Sequence, residues 1–136
     1  MKRLLSTWCV IAATAAALAA SNLAVAHHSG ASWDLTKRVS LKGTVQTVEF
    51  RNPHGKMTLS VAGPGGKPVT WQVETSAMNL LMRRGWKPAR IKVGETVTVA
   101  GHLKKVPGTN DLYLREVKLA DGTVFGDPTG NDKQLD

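Results

Sequence analysis

The sequence predicts an all-β domain with one short helix, arranged as a five-stranded barrel. Three observations predict it. From Val39 onward, apolar residues alternate with polar ones in most segments, the period of a half-buried strand. That period is interrupted once, by Met78, Leu81 and Met82 at the i, i+3, i+4 spacing of a helix. And the alternation slips phase inside two segments, the mark of strands that bend or bulge.

The elements follow in order. Residues 27–38 are polar without a period and read as an N-terminal arm. In the first strand Val39, Leu41, Gly43 and Val45 alternate with Ser40, Lys42, Thr44 and Gln46, and the apolar phase then moves to Val48 and Phe50. This predicts a long, curved strand with a bulge, Gly43 offering a place for the backbone to coil. Asn52-Pro53-His54-Gly55 fits a type I turn, with asparagine first, proline presetting φ second and glycine fourth. Met57, Leu59 and Val61 give the second strand its inner face, and Lys56, Thr58 and Ser60 its outer one. A loose Gly63-Pro64-Gly65-Gly66 turn leads to a third strand with Val69, Trp71 and Val73 inward.

The helix comes next. Thr75 or Ser76 is placed to cap its start, Arg83 and Arg84 complement the dipole of its last turn, and Gly85 is placed to end it. Lys92-Val93-Gly94-Glu95 turns into a fourth strand with Val97, Val99 and Leu103 inward. His102 shares the phase of Thr96, Thr98 and Ala100 and reads as a solvated histidine. A fifth strand spans about Asp111 to Leu119; its inner set switches from Leu112 and Leu114 to Val117 and Leu119, a second bulge. Asp121-Gly122 makes a hairpin turn, Val124-Phe125 adds a short pairing, and residues 127–136 read as a disordered polar tail. Three strands, a helix and two strands, the first long and bent, is the order of an OB-fold. A small β-sandwich, with the helix a mere connection, is the alternative. The barrel domain is placed at residues 39–126, with no internal repeat and no second domain.

Residues 1–26 read as a secretory signal peptide. Lys2 and Arg3 form the positive start, Leu4 to Ala20 the apolar run, and Ala24-Val25-Ala26 the small-x-small cleavage pattern. A periplasmic or secreted protein follows, with no transmembrane segment after cleavage. The one cysteine, Cys9, falls within this leader, so the mature chain has no disulfide and no thiol chemistry. The whole chain carries a formal charge of +8, and loss of Lys2 and Arg3 still leaves it basic. Such a surface attracts anionic polymers in general. Export makes nucleic acid a poor partner, and the scattered cations equally suit ordinary solubility.

The chain resembles a family of small exported bacterial proteins of unknown function. The matching pieces are Ala26-His27-His28-Ser29, Trp33-Asp34, Leu41-Lys42-Gly43-Thr44-Val45, Asn52-Pro53-His54, Trp71, Leu81 through Gly85-Trp86, and Lys92 through Gly101. The resemblance covers nearly all of the mature chain and implies no established activity. Family members often carry an aromatic shortly after the Asn-Pro-His turn; Gly55-Lys56-Met57 stands here instead, so a ring at that turn is not expected.

The histidines are the chemically informative set. Cleavage after Ala26 would leave His27 as the N-terminal residue, offering its amine and imidazole to one metal ion as a chelate. His28 adds a ring and a backbone nitrogen, and His54 can add an imidazole if the arm folds back to it. Nitrogen-rich ligation of this kind suits Cu(II). Asp34 and Glu49 are candidate partners to orient such rings. The plainer alternative is a solvated end for His27 and His28 and a simple turn position for His54. Trp71 is expected in the core, Trp86 between helix and barrel, Trp33 as an anchor of the arm, and Tyr113 exposed. No nucleophile elbow, phosphate loop or HExxH motif is present. Glu49 and Glu74 are the carboxylates that could meet in space. The expected function is therefore a non-enzymatic binding protein, taking copper through His27, His28 and His54. The alternative is an accessory module for a protein or anionic polymer, using Arg51, Lys56, Arg83, Arg84, Lys104 and Lys105.

Overall fold

A computed structural model of the chain describes residues 32–126. The expected leader of residues 1–26, His27 and His28, and the expected tail of residues 127–136 lie outside the described residues. Six strands form one sheet: β1 (Val39–Glu49), β2 (Gly55–Ala62), β3 (Pro68–Thr75), β4 (Thr96–Leu103), β5 (Asp111–Lys118) and β6 (Val124–Gly126). Among the described residues a single α-helix, α1 (Met78–Arg83), stands between β3 and β4. The antiparallel order is β3-β2-β1-β4-β5-β6, and a parallel pairing of β3 with β5 closes the first five strands into a barrel. The fold is an OB-fold, and β6 is a short extra strand hydrogen-bonded to the far half of β5.

Strand β1 serves two neighbours because it bends. Its first half pairs with β4, from Val39↔Gly101 to Thr44↔Thr96, and its second half runs on alongside β2. The phase slip lies at Gln46: Val45 pairs with Leu59 and Thr47 with Thr58, so Gln46 has no partner residue on β2. Gln46 and Thr47 are both exposed as a result. The second bulge is at Arg115, where Ala100 faces Glu116 and Gly101 faces Leu114. From there Leu112 and Leu114 on one side of the slip, and Val117 and Leu119 on the other, all point inward.

The core gathers Val45, Met57, Leu59, Val73, Val97, Val99, Leu112, Leu114 and Val117, with Trp71 half-buried against it. The end of the barrel is stoppered by Leu81, Trp86 and Ile91 from the segment between β3 and β4, Trp86 stacking on Phe125 of β6 with ring centroids 5.9 Å apart. The expected helical stripe is only partly right. Leu81 is buried, but Met82 is 55% exposed. Six residues make less than two turns, and the large side chains that follow the helix take the space a longer stripe would have filled.

The helix ends as expected and begins otherwise. Gly85 adopts φ 80°, the Gly85 amide donates to the Met82 carbonyl and the Trp86 amide to the Leu81 carbonyl, a Schellman motif. Neither Thr75 nor Ser76 caps the start; Ala77 occupies that position with no side-chain cap. The missing acceptors come from the β1–β2 loop. The Asn79 amide donates to Asn52 Oδ1 (3.3 Å), and the Met78 amide to the Arg51 carbonyl (3.2 Å). Asn52→Ala is therefore expected to cost about 1 kcal/mol, as loss of an ordinary cap does, although Asn52 is far from the helix in sequence. Chemical denaturation of the two proteins checks it, and Asn52→Asp should retain most of the stability.

Candidate functional site

The chemistry-bearing residues converge on the outer surface of the seam where β3 meets β5. Register puts them there. Glu49, Lys56, Glu74, Tyr113 and His102 are successive cross-strand partners over β1, β2, β3, β5 and β4. Glu49 and Glu74 do not meet, because Lys56 and its strand stand between them. Two strand spacings separate their backbones by about 10 Å.

His54 sits at the rim of this row. Its loop bends at Asn52 and Pro53, where a type I turn is expected, with a cis Asn52–Pro53 peptide. The ring Nδ1 lies 3.3 Å from the Thr75 carbonyl oxygen and 3.3 Å from Glu74 Oε1. A backbone carbonyl only accepts, so Nδ1 carries a hydrogen. The side chain keeps 30% of its surface exposed. The partner is thus Glu74, not either of the carboxylates expected for the role. Glu49 is paired with Arg51 at 2.9 Å. Asp34 accepts the Thr36 hydroxyl (2.5 Å) and the Thr36 amide (3.2 Å), and the hydroxyl bond above all holds its carboxyl below the ordinary value.

The arm builds the other wall of the site. Trp33 bridges to Lys104, the Asp34 amide donates to the Leu103 carbonyl, and the Lys105 amide to the Ser32 carbonyl. Trp33 stacks on Tyr113 with centroids 5.5 Å apart, and the guanidinium carbon of Arg115 lies 4.8 Å from the centroid of the same ring. The Tyr113 hydroxyl in turn meets Ser76 Oγ at 2.9 Å. His102 is buried here, not solvated. The arm covers it, and its Nδ1 is 2.8 Å from the Lys37 carbonyl oxygen. Trp33 anchors the arm as expected, and Tyr113, expected in solvent, is half-covered by it.

A cleft of about 210 Å³ opens beside this stack, lined by Trp33, Lys56, Gln72, Glu74, Lys104 and Asp111 among others. Two lysines face two carboxylates, so the cleft is polar and close to neutral. The six cations expected to form a polyanion surface are split accordingly. Lys56 and Lys104 line the cleft, Arg51 pairs with Glu49, Arg83 and Arg84 close the helix, and Lys105 is exposed beside the arm, its amide bonded to the Ser32 carbonyl. The outward positions of β2 and β3, namely Lys56, Thr58, Ser60, Thr70, Gln72 and Glu74, carry no aromatic ring. Among the described residues no three His, Cys, Asp or Glu side chains gather as a metal group, and no helix is long and apolar enough to cross a membrane.

Residues 15–112 match the family of unknown function DUF6152. The chain belongs to that family. The DUF6152 match takes in β1 through β4 and ends within the first residues of β5. No curated protein matches the chain. Among solved structures, it is similar to the dimeric N-terminal domain of the PriB protein from Thermoanaerobacter tencongensis, with 21% identity and a TM-score of 0.46, over 62% of this chain and 96% of that one. It is also similar to the mitochondrial single-stranded DNA binding protein Rim1 from S. cerevisiae, with 14% identity and a TM-score of 0.46, over 62% and 92% of the two chains.

Proposed function

We propose that this DUF6152 protein is an exported, non-enzymatic binding module that takes one copper ion through the His27 amine and imidazole, His28 and His54. The observation that carries the reading is the setting of His54. Its Nδ1–H is directed to a carbonyl and a carboxylate, the arrangement that orients metal-binding imidazoles and makes them better donors. Nε2 is then the ligating atom. Chain length supports the partnership: His28 is five residues before Trp33, and extended chain covers about 3.5 Å per residue. The ring-free outer face of β2 and β3 supports a ligand other than single-stranded nucleic acid, which such domains grip by stacking bases on aromatic side chains.

The test is intact mass of the protein secreted by a bacterial host, followed by Cu(II) titration of the same sample. The expected result is a chain starting at His27 with one tight copper. Blocking the amine or making His54→Ala should each weaken it at least 10-fold, and Glu74→Gln should weaken it about 10-fold through the ring it orients. A chain that starts elsewhere, or copper that is loose and indifferent to these changes, sinks the metal reading.

A further inference from the structure

The outer face of β1, β4 and β5 carries a second candidate site, away from the His54 rim. Lys42 of β1 pairs with Thr98 of β4, and Thr98 pairs with Lys118 of β5. Two strand spacings hold the lysine backbones about 10 Å apart with a hydroxyl between them. Both lysines are exposed. Unlike Arg38, Arg51, Arg90 and Lys104, neither makes an ion pair among the described residues.

Two hollows meet on this face. One, of about 520 Å³, is lined by Lys42, Thr98 and Lys118. The other, of about 360 Å³, is lined by Arg90, Lys92, Glu95 and Asp121. They share Thr96, Leu119 and Ala120, so they form one continuous groove. Its charge is biased. Asp121 is already bound to Arg90, which leaves Lys42, Lys92 and Lys118 against Glu95. The groove also runs onto a segment of a single sign: between Glu74 and Glu95 there is no carboxylate, while Arg83, Arg84, Lys87, Arg90 and Lys92 are all present. No aromatic ring lines either hollow. A ligand held here is held by its charge and not by stacked rings.

We infer that this groove binds a flexible linear polyanion that carries no bases and bears repeated sulfate or phosphate groups. Lys42 and Lys118 hold successive anionic groups, Thr98 donates its hydroxyl between them, and Lys92 extends the track. The inference does not depend on copper binding. It also relocates the polymer site from the six cations that the sequence alone suggests.

The experiment uses the secreted protein with two probes, heparin for sulfate and inorganic polyphosphate for phosphate, in a salt series. The test variant is Lys42→Gln with Lys118→Gln. The control is Lys37→Gln with Lys67→Gln, two exposed lysines outside the groove. All four changes keep polar, exposed side chains, and unchanged melting confirms folding. The expected result is saturable binding of at least one probe that weakens as salt rises. The groove variant should lose at least 10-fold in affinity and flatten the salt dependence, while the control should change less than 2-fold. Which probe binds more tightly identifies the anionic group. The inference is overturned if the control loses as much as the groove variant, if neither probe saturates at low salt, or if a single-stranded oligonucleotide outcompetes both.

Discussion

Gly101→Ala should unfold much of this protein's margin of stability, with a loss of about 3 kcal/mol or more. For a domain of this size that corresponds to a fall in melting temperature of about 15 °C. Gly101 faces the bulge in β5, and a Cβ there would stand 2.0 Å from the Tyr113 carbonyl oxygen and 2.9 Å from its carbon. Both obstacles are backbone, so no side-chain rotation relieves the overlap. The strands must separate, and the pairings Gly101↔Leu114, His102↔Tyr113 and Leu103↔Leu112 go with them. Gly108→Ala is the comparison. Gly108 has φ 78° but open space around it, so that change costs only about 1 kcal/mol of backbone strain. Thermal melts of the two variants decide the matter: equal losses would mean that close strand approach is not what Gly101 provides.

Leu112→Ala is expected to cost about 3 to 4 kcal/mol, within the range for fully buried leucines. Leu112 is fully buried and pairs with Val73 on β3 and Leu103 on β4, so it sits where the barrel closes. The closing pairing is only three residues long, and nothing else of the sheet bridges β3 to β5. Truncation should therefore raise amide exchange at Gln72, Val73 and Glu74 more than within the β1–β2 hairpin. Leu112→Met, which conserves volume, should lose less than about 1.5 kcal/mol. Uniform acceleration of exchange across all strands would show that the seam has no separate weakness.

The fold was legible because each strand buries one face, and that writes a period of two into the sequence. Both bulges were visible as phase slips, the first between Val45 and Val48, where Gln46 is the unpaired residue. Two of the misreadings share a cause: each depended on a neighbour distant in sequence. His102 has the period of an exposed residue, yet the arm covers it. The helix start has two good local caps, yet Asn52 supplies the acceptor from the preceding loop. Glu74 as the partner of His54 was also obtainable in principle. A hairpin folded symmetrically about Gly65 pairs Gly55 with Thr75 and so brings His54 beside Glu74 and Thr75. The groove on β1, β4 and β5 required the β1–β4 register, which no local pattern encodes.

The route of the chain through the barrel also governs when the barrel can exist. β1, β2 and β3 pair with sequence neighbours, as do β4, β5 and β6. The two groups are joined only by the β1–β4 and β3–β5 ladders, whose partners, such as Val39↔Gly101 and Gln72↔Asp111, are far apart in the chain. Long-range pairings of this kind close late and slow folding towards the millisecond-to-second range. A chain delivered from its N-terminus would therefore present Met57, Leu59 and Val73 uncovered until β4 and β5 had emerged. During that interval the first three strands are the part most in need of protection from aggregation.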